Sequence, residues 1–146
     1  MKQAIQDFIN GKRIAVVGVS RSGTKFGNQA FKELAERGYQ VYPVHPTAKE
    51  IGGKPCYPNL AALRDQVDGV LVIVPPEKAK SVLQEAAAVG LKNVWLQQGA
   101  ESPEVLALGR ELGLNLVVKK CVLMYAPPVR SFHGWHRAFA RLFGQM

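Results

Sequence analysis

Arg13-Ile-Ala-Val-Val-Gly-Val-Ser-Arg-Ser-Gly-Thr-Lys-Phe-Gly27 is the stretch whose reading decides the fold of this chain. Residues 14–18 are apolar almost throughout, and a strand that does not alternate is buried on both faces, as in a parallel sheet covered by helices. The run ends in a loop of small, hydroxyl and basic residues, and an amphipathic segment begins near Phe26. Strand, small-residue turn and helix N-terminus together make an anion site. Small side chains let a ligand approach the backbone, the first helical turn has spare N–H groups, and the helix dipole favours negative charge there.

Outward from this turn the same rhythm repeats. Residues 2–10 form a short amphipathic helix with Ile5, Phe8 and Ile9 on one face, closed by Asn10-Gly11. The helix after the turn covers residues 26–37, with Ala30, Phe31, Leu34 and Ala35 as its apolar stripe and Gly38 as its stop. Strands are expected at 39–44, 70–74, 94–96 and 114–118. Helices are expected at 76–89, entered through Pro75-Pro76, and from Ser102-Pro103-Glu104 to Gly113. Residues 47–60, rich in glycine and proline, read as a long loop, with Asn59 capping a short helix over 60–63. Alternating strands and helices predict a right-handed βαβ series. The fold class is therefore α/β: a Rossmann-like, doubly wound, five-stranded parallel sheet with helices on both faces.

At 146 residues the chain reads as one domain, residues 1–124, with an extension at 125–146. In that extension Trp135, Ala138, Phe139, Leu142 and Phe143 share one side of an expected amphipathic helix, opposite Arg137 and Arg141. It is expected to pack on the domain or on a second copy in a homodimer. The 47% hydrophobic and 21% charged shares exclude a disordered chain. No apolar run approaches the roughly 20 residues of a membrane span. The N-terminus mixes charge and apolar residues too finely for a secretory signal. The two cysteines, Cys56 and Cys121, lie outside any Cys-x-x-Cys pattern and read as reduced thiols of a cytoplasmic protein. His133 and His136 lack a third ligand nearby, so no metal site is expected.

Net charge is +8, from 19 Lys and Arg against 11 Asp and Glu, a balance that attracts polyanions or a phosphate-rich cofactor. The dinucleotide fingerprint has Gly-x-Gly-x-x-Gly after the first strand and a carboxylate near the end of the second, which accepts the ribose hydroxyls of NAD. Here the loop is Gly18-Val19-Ser20-Arg21-Ser22-Gly23, and the second strand ends in Val44-His45-Pro46. With no carboxylate there and Arg21 and Lys25 nearby, a phosphorylated ribose fits better than a bare one. Coenzyme A carries such a ribose, a pyrophosphate for the helix N-terminus, and a pantetheine arm able to follow the carboxyl edge of the sheet.

The order of five segments resembles the small CoA-binding domain proteins, whose fold is shared with the N-terminal domain of the succinyl-CoA synthetase alpha subunit. The segments are Ile14-Ala-Val-Val-Gly-Val-Ser20, Val41-Tyr-Pro-Val-His-Pro46, Ile51-Gly-Gly-Lys-Pro-Cys-Tyr-Pro58, Val74-Pro-Pro76 and Val94-Trp-Leu-Gln-Gln-Gly99. The resemblance implies binding of coenzyme A or an acyl-CoA. It puts the phosphates on Gly18, Val19, Ser20, Arg21 and Ser22, with Lys25 nearby. His45 and Pro46 would lie against the nucleotide, Lys49 would be the basic residue beyond them, and Val74, Pro75 and Pro76 would flank the cofactor. The family pattern leads one to expect Asn or Thr where this chain has His45. No nucleophile–base pair is visible, so binding without catalysis is expected. An NAD(P)-dependent oxidoreductase or redox sensor is the alternative, and a nucleic-acid-binding module a second. No base-reading motif supports the latter.

Overall fold

The computed structural model describes residues 2–23 and 25–127. The expected extension helix and the His133–His136 pair lie outside the described residues. In chain order the elements are α1 (Lys2–Asn10), β1 (Arg13–Val17), α2 (Phe26–Glu36), β2 (Gln40–Val44), β3 (Glu50–Ile51), β4 (Lys54–Pro55), β5 (Gly69–Val72), α3 (Pro76–Ala88), β6 (Asn93–Leu96), α4 (Pro103–Glu111) and β7 (Asn115–Val117). Short 3-10 turns cover Leu60–Leu63 and Val122–Met124.

The main sheet has five strands in the order β2-β1-β5-β6-β7, and every neighbouring pair is parallel. The Rossmann-like α/β architecture expected from the sequence is therefore present. After β1 the chain steps outward to β2 and then crosses back over β1 to reach β5. The β1/β5 gap is thus the topological switch point, where doubly wound sheets bind ligands outside the carboxyl ends of their strands.

Successive residues of each strand point to opposite faces, and both faces are covered. Ile14, Val16, Leu71 and Trp95 pack with Phe8 of α1 and Phe31 and Leu34 of α2. Ala15, Val70, Val72, Val94 and Leu96 pack on the other side with Leu83 of α3, Val105 of α4 and Leu60 and Leu63 of the first 3-10 turn. This is why the strands show no polar alternation. Trp95 is fully buried; its ring lies 5.3 Å from that of Phe8 in an edge-on arrangement, and its indole N–H donates to Lys120 O at 2.9 Å. Buried Tyr39 donates its hydroxyl to Ile9 O at 3.0 Å, and burial pushes that hydroxyl up to about 12.

Residues 47–60 depart from the loop reading. They contain the antiparallel pair β3–β4, and Tyr57 forms an isolated parallel bridge with Val44. Two-residue strands carry no periodicity to read. The bridge depends on edge strand β2, whose Pro43 lacks a ladder donor but accepts from Tyr57 N at 2.9 Å. The caps are as expected: Asn59 accepts from Ala62 N at 3.1 Å, and Ser102 from Val105 N at 3.1 Å.

Two contacts fix the opposite ends of β1. At the amino end, Asp68, just before β5, accepts from Lys12 N at 3.2 Å, Arg13 N at 3.1 Å, Arg13 Nε at 3.2 Å and Arg13 Nη2 at 2.8 Å. Hydrogen bonding from Arg13 holds the Asp68 carboxyl below the usual carboxylate range. At the carboxyl end, β1, α2 and β5 meet backbone to backbone. A Cβ built on Gly18 would overlap Ile73 O, and one built on Gly27 would overlap Gly18 O.

Two outcomes follow. Gly27→Ala is expected to lower the unfolding free energy in urea by about 1–3 kcal/mol, since a methyl must force α2 off the strand end; a loss under about 0.5 kcal/mol would mean the approach is slack. Because the folded pKa of Asp68 is depressed, its stabilisation is present above the unfolded value near 4. That stabilisation is lost as pH falls through the lower folded value. Urea midpoints between pH 7 and pH 3 should therefore fall more steeply for the wild type than for Asp68→Asn, and parallel curves would remove this role.

Candidate functional site

The loop after β1 is held from inside by α2. Asn28, in the first turn of that helix, accepts from Ser20 N at 2.9 Å and from the Ser20 hydroxyl at 3.1 Å through Oδ1, and donates from Nδ2 to Ser20 O at 2.9 Å. Its orientation is fixed chemically, because only the oxygen can face an N–H and only the nitrogen a carbonyl. The Ser20 and Ser22 hydroxyl oxygens lie 3.0 Å apart. Arg21 reaches across to the turn after β2 and donates from Nη2 to Thr47 Oγ1 at 2.6 Å.

That second turn is shaped by His45, whose Nδ1 accepts from Thr47 N at 3.1 Å and Ala48 N at 3.0 Å. A ring nitrogen accepting from two amides carries no proton, so the imidazole hydrogen sits on Nε2. His45 therefore organises the turn and also lines a cleft.

This cleft, about 400 Å³, opens at the switch point. Gly18, Val19 and Lys25 line it from the first turn, His45 and Pro46 from the second, and Val74 and Pro75 from the segment after β5. Ser20 and Arg21 instead line a neighbouring cleft of about 590 Å³ between α2 and the β3–β4 hairpin, floored by Phe31 and Ile51. Ser22, Lys49 and Pro76 are not among the lining residues of either cleft. Lys49 accepts a bond from Cys56 N through its carbonyl, and Pro76 is the first residue of α3, where its missing N–H is harmless. A smaller hollow of about 220 Å³ shares Ile73, Val74 and Pro75 with the switch-point cleft and adds Gln98 and Gly99.

The helices that begin at this cleft lack side-chain caps. Lys25 precedes α2 and Pro75 precedes α3, and neither supplies a capping bond; α4 begins at Ser102, which does. Exposed Lys25 and Lys78 both line the cleft. These N-termini with lysines beside them attract an anion through dipole and charge together; at α3, where Pro75 and Pro76 carry no N–H, the dipole and Lys78 act without amides from those two residues. Glu85, the carboxylate in the lining, accepts from Leu60 N at 3.0 Å. Both cysteines are free thiols; burial pushes the Cys56 thiol up, which lowers its nucleophilic fraction. Among the described residues no three His, Cys, Asp or Glu side chains gather as a metal site, and no helix is long and apolar enough to cross a membrane.

Gly27, Asn28 and Lys78 were not singled out in the sequence. A polar residue at the third helical position, able to reach back as in a capping box, was the available signal for Asn28. A lysine in a first turn entered through Pro75-Pro76 was the signal for Lys78.

Residues 12–127 match the family described as the CoA binding domain. The chain is 29% identical over 126 residues to the alpha subunit of acetate–CoA ligase [ADP-forming] II of Pyrococcus furiosus, covering 79% of this chain but only 28% of that subunit. It is 29% identical over 111 residues to the uncharacterized protein YneT of Bacillus subtilis, covering 76% of this chain and 82% of that one. Among solved structures, a conserved hypothetical protein from Pyrococcus furiosus superposes with a TM-score of 0.74 at 36% identity, over 77% of this chain and 97% of that one. With one family model spanning β1 through the last described turn, the chain belongs to the CoA binding domain family.

Proposed function

We propose that this chain binds coenzyme A, or an acyl ester of it, at the β1/β5 switch point, and that it performs no acyl-transfer chemistry by itself. The observation that carries this reading is the pair of helix N-termini without side-chain caps, opening on one cleft beside Lys25 and Lys78. Coenzyme A supplies what such a cleft lacks: a pyrophosphate for the amides and dipole, and a further phosphate for a lysine or arginine.

In this reading Gly18, Val19, Ser20, Arg21 and Ser22 form the phosphate turn, with Lys25 at its helix end. His45 and Pro46 flank the nucleotide, Lys49 lies just beyond, and Val74, Pro75 and Pro76 form the opposite wall. The pantetheine arm then runs along the carboxyl edge toward Gln98 and Gly99, within the adjoining hollow. The turn after β2 offers His45-Pro46-Thr47 where an NAD site presents a carboxylate, which favours a phosphorylated ribose. Free thiols agree with a reducing compartment, and we place the protein in the cytoplasm.

Calorimetry with CoA, dephospho-CoA and NAD tests this reading. CoA is expected to bind about tenfold or more tightly than dephospho-CoA, as one charge-assisted phosphate contact is worth about 1.5–3 kcal/mol. Lys25→Ala and Lys78→Ala should each weaken CoA by about tenfold on the same scale. Equal affinity for CoA and dephospho-CoA would remove the role given to the basic residues. Failure to bind CoA, or tighter binding of NAD, would overturn the reading itself.

A further inference from the structure

Asn28 sits at the third position of α2, in the first turn, where a polar side chain can reach back past the helix start. Asparagine is a poor helix former, because its side chain competes for nearby backbone groups. Here the side chain is spent on a residue eight positions earlier, meeting the N–H, the C=O and the hydroxyl of Ser20. One carboxamide thus pairs with both backbone polar groups of a single residue, as a neighbouring strand would. The pairing comes three residues beyond the end of β1, so it extends backbone order into the loop.

The consequence concerns the anion. The Ser20 amide and hydroxyl are donors at the strand end of the phosphate turn, and both point at Asn28 Oδ1. An incoming phosphate then meets the other end of the turn, the uncapped N-terminus of α2 beside Lys25. Ser20 is held to α2 and Arg21 to Thr47, so less of the turn remains to be ordered by the ligand.

We infer that Asn28 is the positioning residue of the phosphate turn, a clamp that pre-forms the loop and directs the anion to the start of α2. This rests on the reading of the turn as a phosphate site and adds the group that sets its geometry.

The test uses the full chain and its variants Asn28→Ala and Asn28→Asp, titrated calorimetrically with CoA and separately with inorganic pyrophosphate, alongside thermal unfolding. Asn28→Ala is expected to weaken both probes by about tenfold, the order of effect expected when a pre-formed loop must be ordered on binding. Asn28→Asp keeps an acceptor for both Ser20 donors, loses the bond to Ser20 O, and adds negative charge in the first turn of α2. It should bind more weakly still, and its thermal midpoint is expected to fall, because its second oxygen faces the Ser20 carbonyl without a proton to share. Affinity for both probes lost by the uncharged Asn28→Ala at temperatures where it remains fully folded is a result that a purely structural asparagine does not give.

Binding by Asn28→Ala within about threefold of wild type, or tighter than wild type, would overturn the clamp alone; the tighter case would make Asn28 a block. Wild-type binding of pyrophosphate without CoA would overturn the cofactor assignment and leave the clamp to be judged on the variants. Binding of neither probe would overturn both.

Discussion

The arrangement depends on a place where three stretches of backbone touch without side chains between them. Gly18 at the end of β1 lies against Ile73 beyond β5, and Gly27 in α2 lies against Gly18. Each glycine lets the next segment come a full side-chain thickness closer. The start of α2 is thereby drawn onto the carboxyl end of the sheet at the switch point. From there Asn28 reaches Ser20, and Lys25 stands at the rim of the cleft. A methyl group at Gly27 separates helix from strand and disturbs the turn after β1 with it.

The two edges of the sheet do different work. At the amino edge, Asp68 takes the amides of Lys12 and Arg13 and the guanidinium of Arg13, so charges and donors there are matched. At the carboxyl edge, α2 and α3 start without side-chain caps and two lysines face the cleft. At that edge the two helix dipoles and the two lysines agree in sign, which suits a phosphate. The buried layers between the edges, with Trp95 and Leu71 on one side and Val70 and Leu96 on the other, keep the two apart.

Much of this was legible in the residues. Unbroken apolar runs at β1 and β5 announced strands covered on both faces, and Asn59 and Ser102 announced their caps through their own short-range chemistry. The turn was visible because its glycines and serines are local. Gly27 was not, since the fingerprint directs attention to Gly23, around which a Cβ would meet open space. Asn28 and Lys78 act across eight residues and across the sheet respectively, and no periodicity marks such partnerships. The β3–β4 pair escaped for another reason: strands of two residues have no pattern, and Tyr57 is held by β2 and not by its own neighbours.

The sequence by itself determined that the chain alternates strand and helix, that its sheet is parallel and buried, and that a small-residue turn leads from the first strand into a helix. These rest on local propensity and on the spacing of apolar residues, which need no partner to be read. Only the tertiary structure decided that β5 lies beside β1, so that Val74, Pro75 and Lys78 face Lys25 and His45 over one cleft. It also decided that Ser20 is bound from within by Asn28, while Arg21 turns to Thr47. Those assignments depend on which backbones can approach closely, and close approach is a property of pairs of segments distant along the chain.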